Sequence, residues 1–270
     1  MRLLRGPRRS AHLTPEARRV LDDLRRDGIA STDLAALLGT GAGTEADELL
    51  AEVLSRTDDL IADQSADIVH RRRRLVADPG SRRAVPRDVD LLGSRPPVDP
   101  EDPYARFLRH PLISGVAAAH CRRQVRIWDM NGVLTLASAP ATAEGGWTRD
   151  AGAHGLDVHL HLTEVHDGVG PLSYVRTSHR RRRRGDRTGD HLADRDVERA
   201  FGPGCTTTVQ GRTGTVVFTD PRGLHRRARP TVRDRLVLQG RFSTRGGRER
   251  AVLLPAEEVP RSALADFALA

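Results

Sequence analysis

The chain has 270 residues, which is enough to bury the core of one full domain without requiring a second. Its 44 basic residues, all arginine, outnumber 36 acidic ones and give a net charge of +8, while aromatic residues make up only 3%. The arginines are spread along the chain and few aromatic side chains are present for base stacking, so the charge alone does not indicate a nucleic-acid-binding protein.

Cysteine usage and hydropathy narrow the class of protein further. Two cysteines, Cys121 and Cys205, are too few for a disulfide framework or a cysteine-rich zinc site, and we predict that both are small buried residues. The N-terminus has no apolar signal region, and no apolar run approaches membrane-spanning length. A soluble cytoplasmic protein that does not bind membranes is therefore expected.

The first 121 residues are predicted to be mainly helical, after a loose arginine-rich segment at 1–13. Thr14 followed by Pro15 is typical of a helix start, and Gly28 ends the apolar pattern that follows. The other predicted elements are a short helix capped by Ser31 or Thr32 and closed by Gly39, a helix from Thr44 that could reach Arg71–Arg74, a loop at 79–103 and a helix at 107–121.

Short apolar runs separated by turn residues replace this pattern after residue 121. They lie at 125–128, 133–136, 158–165, 172–175, 206–209, 214–219 and 236–242. Such spacing is typical of a β-sandwich or jelly roll. We therefore predict one domain over 14–270, of the α+β class but mainly β, with a helical part at about 14–121 and a β core at about 122–245.

Two arginine runs could attract an acidic or phosphorylated ligand. Arg71–Arg74 falls at the end of a predicted helix, where cations suit the helix dipole, and Arg180–Arg184 falls in a charged loop. A solvated helix end and an exposed loop explain the same runs without a ligand. Duplex nucleic-acid binding is kept as a less favoured hypothesis.

Polar residues between Trp147 and Phe242 suggest a metal site. Asp150 and the distant His225 could meet inside a rolled sheet and share a divalent metal, while Arg235 on the last strand could clamp a carboxylate. Thr148 and Asp150 are two residues apart, so their side chains would point to the same face of an extended chain. Non-haem iron oxygenases complete such a site with a second histidine.

These motifs, in this order, resemble the phytanoyl-CoA dioxygenase family of Fe(II)/2-oxoglutarate oxygenases. The family's W-H-x-D element corresponds to W-T-R-D at 147–150, and its G-P-x-x-x-V-x-x-S-H segment to residues 170–179. Its G-T-x-x-x-x-D element corresponds to residues 214–220, and is followed by His225 and Arg235. LTPEARRVLDDLRRDGIAS, from residue 13, resembles the family's opening helix, in which a glycine turns the chain into the first strand. The resemblance covers about 13–245 and is weak between 40 and 105.

The resemblance implies a fold, a reaction and residue roles. It implies a double-stranded β-helix, or jelly roll, with N-terminal helices packed on it. It implies that Asp150 and His225 bind Fe(II) and that Arg235 pairs with the far carboxylate of 2-oxoglutarate, the co-substrate. His179, in the S-H pair, is given no catalytic role. The implied function is oxidation of a small organic metabolite, by hydroxylation or related C–H chemistry.

Thr148 departs from the family pattern, because the first metal histidine is expected there. A threonine hydroxyl is a poor ligand for ferrous iron compared with imidazole. His154, in a glycine-flanked turn, could replace the missing ligand, and His159 and His161 share one face of the next strand and could border the site. The last two could equally be core residues. A cupin-type site using Glu164 is disfavoured, because Glu164 follows them too closely.

Two functions therefore remain open besides the nucleic-acid hypothesis. The chain is either an active dioxygenase with an unusual third ligand, or a relative that has lost the metal and acts as a binding protein or redox-neutral catalyst. Thr148 is the main support for the second. The sequence does not select the substrate or the oligomeric state.

Overall fold

A computed structural model of the chain describes residues 13–39, 44–77, 87–93, 99–138, 146–150, 155–180 and 191–244. The helices are α1 (Pro15–Asp27), α2 (Leu34–Leu38), α3 (Glu45–Asp63), α4 (Ser65–Ala77), α5 (Pro103–Arg109), α6 (Pro111–Cys121) and α7 (Asp194–Phe201). Within these ranges, no helix is long and apolar enough to cross a membrane. The predicted loose segment at 1–13 lies outside the described residues except for its last residue.

The strands are β1 (Ile29–Asp33), β2 (Asp88–Asp90), β3 (Arg126–Thr135), β4 (Gly155–His161), β5 (Leu172–Val175), β6 (Thr206–Val209), β7 (Thr215–Thr219), β8 (His225–Arg227) and β9 (Arg235–Ser243). Six of them form a sheet in the order β1-β7-β4-β9-β3-β2, and β6-β5-β8 form a second, smaller sheet. The two predicted runs at 125–128 and 133–136 are one strand, β3.

Helix α1 begins and ends where the sequence predicts. The Thr14 hydroxyl accepts a hydrogen bond from the Ala17 amide at 3.1 Å, and Gly28 ends the helix with φ +84°, a left-handed conformation that favours glycine. The chain then enters β1 directly. The cap of α2 is consequently Asp33, which accepts from the Ala35 amide at 3.0 Å, and not the predicted Ser31 or Thr32, which belong to the strand.

Two helices predicted as continuous are each interrupted. The helix from Thr44 ends at Asp63, and α4 starts anew after Gln64. The predicted helix at 107–121 is divided at His110, because Pro111 has no amide hydrogen to continue the ladder and instead occupies the first turn of α6. The predicted loop at 79–103 also contains β2, which pairs with β3.

The helices cover the outer face of the large sheet. Even-numbered residues of β4 and β9, including Leu156, Leu160 and Leu238, are buried in one apolar core with α1, α5 and α6. A Cβ at Gly240 would lie 2.4 Å from Leu108 Cδ2, so glycine permits the close approach of α5 to β9. The odd-numbered residues point to the opposite face, toward the small sheet. The architecture is α+β, mainly β, with a jelly-roll core, as predicted.

Candidate metal and co-substrate site

The inner surface of β4 and β9 is unusually polar for a buried surface. Asp157, His159 and His161 alternate along β4 and are all at most 6% exposed. The antiparallel register places Asp157 beside Arg241 and His159 beside Gln239 on β9. These charged and polar side chains lie inside the jelly roll, on the face that does not contact the helices, so the interior is built to hold something other than apolar side chains.

A short backbone pairing brings Asp150 to His225. The Thr148 amide donates to the His225 carbonyl at 3.0 Å, and the His225 amide donates to the Thr148 carbonyl at 2.9 Å. The carboxylate of Asp150, two residues further on, lies with its Oδ1 atom 3.9 Å from His225 Nε2. The two residues predicted to share a metal are therefore neighbours, although 75 positions separate them in the sequence.

His225 is arranged as a neutral imidazole. Burial lowers its pKa, although Asp150 opposes this shift. Its Nδ1 atom lies 3.1 Å from the Gly223 carbonyl, which can only accept a hydrogen bond, so Nδ1 carries the proton. The unprotonated Nε2 atom is then the one near Asp150. A backbone carbonyl that fixes the tautomer in this way is common at metal-binding histidines.

The hydroxyl of Thr148 does not contribute a ligand to this pair. It donates a hydrogen bond to the His225 carbonyl at 3.3 Å. Among the described residues, no three His, Cys, Asp or Glu side chains are grouped so that they could hold a metal ion. His159 and His161 therefore do not complete a three-residue metal site with Asp150 and His225. His154, the other candidate, lies outside the described residues.

Arg241 contacts the same carboxylate from the other side. Its Nη2 atom donates to Asp150 Oδ2, and its Nε and Nη2 atoms donate to Asp157 Oδ1 and Oδ2, both at 2.6 Å. Although burial opposes it, hydrogen bonds with the two carboxylates raise the pKa of Arg241, so the guanidinium is charged. One arginine thus bridges the predicted metal ligand Asp150 and the fully buried Asp157.

Arg235 lies deeper in the interior, on the wall of a cavity. The cavity has about 430 Å³ of empty space, counted with its opening to solvent. Its polar lining consists of His159, His161, Arg227, Arg235 and Gln239, and the remaining lining residues are valines and a leucine. Among the described residues its wall has two arginines and no acidic side chain, so the cavity favours an anionic ligand.

The Arg235 guanidinium is buried, and none of the described carboxylates contacts it directly. It donates to the Gly170 carbonyl, to the Thr135 hydroxyl at 3.1 Å and, weakly, to the Ala228 carbonyl at 3.4 Å. In the part of the chain that the structure describes, no ion pair joins it to an acidic residue, although Asp88, which accepts from the Thr135 hydroxyl at 2.6 Å, favours its charged form. Burial lowers the pKa of Arg235 to about 10, which still leaves it charged at neutral pH. A buried cation of this kind needs an anion to offset its desolvation.

His161 is expected to make folding sensitive to mild acid. Burial lowers its pKa from 6.5 to about 4, so the unfolded chain binds a proton before the folded chain does. Stability should therefore decrease as the pH falls from about 6.5 toward 4. His161→Gln is expected to flatten this dependence by about 1 kcal/mol per pH unit, measured by urea unfolding. The exposed His70→Gln is the control, and an equal slope in wild type and His161→Gln would contradict the expectation.

A turn just before His225 is fixed by Asp220. This buried carboxylate lies 3.0 Å from His120 Nε2 on α6 and accepts two hydrogen bonds at Oδ1 from Arg222, from its amide at 3.0 Å and its Nε at 2.9 Å. Tyr174 donates to the Asp220 carbonyl at 2.8 Å. His179, for which no catalytic role is predicted, lies beside Gly28 at the same corner. The corner connects the helices to the strand that carries His225.

The structure therefore brings Asp150 and His225 together and places Arg235 on a cavity wall, while their roles as ligands stay predictions. Four further residues of this interior belong to no predicted motif: Asp157, Arg227, Gln239 and Arg241. Strand alternation places Asp157 on the face of His159 and Arg241 on that of Arg235, but it does not show which of these side chains contact each other. Of the two cysteines, Cys205 is buried as predicted, but Cys121 is only partly buried; both are free thiols.

No protein-family model and no curated protein sequence matches the chain. Solved structures do match. The epimerase SnoN from nogalamycin biosynthesis, a non-heme alpha ketoglutarate dependent enzyme, is 20% identical with a TM-score of 0.53, over 84% of this chain and 83% of that one. The non-heme alpha ketoglutarate dependent carbocyclase SnoK from the same biosynthesis is 18% identical with a TM-score of 0.53, over 88% and 87%.

EctD from S. alaskensis, whose matching crystal structure contains bound Fe, is 18% identical with a TM-score of 0.56, over 88% of this chain and 79% of that one. SnoN has also been crystallised in complex with Fe3+, alpha ketoglutarate and nogalamycin RO. At such low identity the matches show a shared fold. The chain therefore has the fold of non-haem iron, 2-oxoglutarate-dependent enzymes.

Proposed function

We propose that this protein is an Fe(II)- and 2-oxoglutarate-dependent oxidoreductase that acts on a small organic metabolite. The observation that carries the proposal is a buried arginine, Arg235, on the wall of an interior cavity to which the described residues contribute no acidic side chain, together with the Asp150–His225 pair. A buried cation that no described carboxylate contacts suits the co-substrate, and a carboxylate–imidazole pair supplies two of the ligands that such an enzyme uses for its metal.

The residues present fit part of an iron site. Asp150 Oδ1 and His225 Nε2 lie 3.9 Å apart, and the Nδ1 proton of His225 is fixed by the Gly223 carbonyl, so Nε2 is available as a ligand. Asp150 and His225 would hold the ion, with a third group, His154 or water, in the position where Thr148 provides none. The chemistry that a ferrous ion supplies in such enzymes is oxidation of a substrate by O₂ and 2-oxoglutarate.

Arg235 is proposed to bind the far carboxylate of 2-oxoglutarate. Its planar guanidinium can donate two parallel hydrogen bonds to a carboxylate, and none of the described residues that line the cavity is an acidic group that would compete for it. Burial lowers the pKa of His159, so it lies beside the cavity as a neutral imidazole and does not add a third cation. The cavity would therefore hold one dicarboxylate against two arginines.

The assignment to a particular family of these enzymes rests on the sequence motifs. The order of W-T-R-D, G-P-L-S-Y-V-R-T-S-H, G-T-V-V-F-T-D, His225 and Arg235 supports a relative of the phytanoyl-CoA dioxygenase family. The structural neighbours include an epimerase and a carbocyclase, so the outcome of oxidation need not be hydroxylation. A small metabolite is proposed as the substrate.

Succinate formation tests this proposal. Purified protein supplied with Fe(II), ascorbate and 2-oxoglutarate in air is expected to form succinate, measured by chromatography, and a true substrate should increase the rate. His225→Ala should lower succinate formation at least about 10- to 100-fold, because it removes one of two protein ligands. The matched control is His70→Ala, an exposed histidine on α4. No succinate above the metal-free background, with any metabolite tried, would contradict the proposal.

A further inference from the structure

The contacts of Arg241 point to a role that the proposed metal site does not by itself explain. Its guanidinium donates to Asp157 through both Nε and Nη2, and through Nη2 also to Asp150. Only 20% of the Arg241 side chain is exposed, and Asp157 is 5% exposed. A positive charge therefore already lies against the carboxylate that is proposed to bind the metal.

Asp157 alone can keep this guanidinium paired. The two bonds between Arg241 and Asp157 form a fork, with both oxygens of the carboxylate accepting at 2.6 Å. The register of β4 and β9 places the two residues directly opposite each other, so the pair is fixed by the sheet. The bond to Asp150 is additional. Arg241 could give it up without becoming a buried unpaired charge.

A divalent ion at Asp150 and His225 would meet the field of this guanidinium. The metal would approach Asp150 Oδ1, which lies 3.9 Å from His225 Nε2, while Arg241 holds Oδ2 of the same carboxylate. A cation this close to a second cation in a partly buried site is disfavoured, because the protein screens charge less than water does. The guanidinium also draws electron density from the carboxylate, which weakens it as a metal ligand.

We propose that Arg241 is an internal cation that competes with the divalent metal for Asp150, so that the chain binds its metal more weakly than its carboxylate–imidazole pair would allow. This inference rests on the proposed function, because it takes Asp150 and His225 as the metal ligands. In this proposal Asp157 is the residue that keeps the Arg241 guanidinium paired when Arg241 releases Asp150. Arg241 is a positioning residue that acts through Asp150, and Thr148 and Arg241 would lower metal affinity by separate routes.

Metal affinity measured without turnover tests this role. Mn²⁺ is titrated into the full-length protein, and the free ion is followed by electron paramagnetic resonance. Arg241→Gln is expected to bind Mn²⁺ at least about 10-fold more tightly than the wild type, a change comparable in size to those caused by altering the partners of metal ligands. Arg56→Gln is the matched control, since Arg56 also pairs with an aspartate, Asp102, at 3.0 Å in a partly buried contact and does not contact Asp150 or His225.

A second variant keeps the test interpretable if Arg241→Gln alone does not fold correctly. Arg241→Gln leaves Asp157 buried without its partner, so the double variant Asp157→Asn, Arg241→Gln replaces the ion pair with two amides and should show the same gain. Unchanged or weaker Mn²⁺ binding in both variants would overturn the inference, and so would an equal gain in Arg56→Gln. Binding that is measurable but equal in wild type and variants would leave the proposed metal site intact. No Mn²⁺ binding by any of these proteins would overturn both.

Discussion

Arg235→Gln is expected to weaken 2-oxoglutarate binding by about 100-fold or more. Arg235 is the buried cation on the cavity wall, and glutamine cannot donate the paired, charged hydrogen bonds that a carboxylate accepts from a guanidinium. Loss of one partner from a buried, hydrogen-bonded charge pair costs about 3 kcal/mol, which corresponds to a factor of about 100. Isothermal titration calorimetry with 2-oxoglutarate and Mn²⁺ measures the change directly.

Arg235→Lys separates charge from geometry in the same experiment. Lysine keeps the positive charge but not the planar fork, so an intermediate loss of about 10-fold is expected. Because Arg235 also donates to the Gly170 carbonyl and the Thr135 hydroxyl, thermal unfolding of each variant should be recorded beside the titrations. Binding of 2-oxoglutarate by Arg235→Gln as tight as that of the wild type would exclude Arg235 from the co-substrate site.

Asp220→Asn is expected to destabilise the folded protein by about 3 kcal/mol. The Asp220 carboxylate is completely buried and accepts hydrogen bonds from the amide and guanidinium of Arg222, with His120 at 3.0 Å. Asparagine would direct an NH₂ group at one of these donors and leave buried polar groups unpaired, which is among the costliest kinds of substitution. The free energy of unfolding in urea is the measurement.

The difference in unfolding free energy between wild type and Asp220→Asn is expected to depend on pH, and this dependence tests the cause of the destabilisation. Hydrogen bonds from Arg222 and His120 hold the pKa of Asp220 below its ordinary value of 3.8, even though burial opposes this shift. The stabilisation is therefore present above about pH 4 and is lost as the pH falls further, so the difference between wild type and Asp220→Asn should decrease there. Asp196→Asn, at a weak surface pair with Arg199, should change stability by less than about 0.5 kcal/mol at every pH. Equal stability of Asp220→Asn and wild type at pH 7 would contradict the assignment.

Most of the β core could be predicted from local sequence, because strands with one face against helices and one face inward have a clear alternation. β5 and β6 have the predicted bounds, and β7 and β9 differ from prediction by one residue or less at each end. The strands that were missed are short. β2 and β8 have three residues each and are defined by their partners β3 and β5, which local patterns do not reveal.

The candidate site was predicted only where a motif existed. Asp150, His225 and Arg235 were found through their spacing and order, and the structure brings the first two within 3.9 Å. Arg241 could not be placed, because its partners lie 91 and 84 positions away and their contact depends on the register of β4 with β9. Because the chain has 44 arginines, the presence of an arginine on a strand does not by itself indicate a functional residue.

The division of β4 and β9 into a helix-facing row and an inward row limits how this chain can diverge. Inserting or deleting one residue in β4 would exchange Asp157, His159 and His161 with their apolar neighbours, moving charge into the helix contact and leucine into the cavity. Substitution at an inward position has no such effect on the helices. Variants with new ligand preference should therefore arise by replacement within these two strands, and changes in length should be confined to segments outside them.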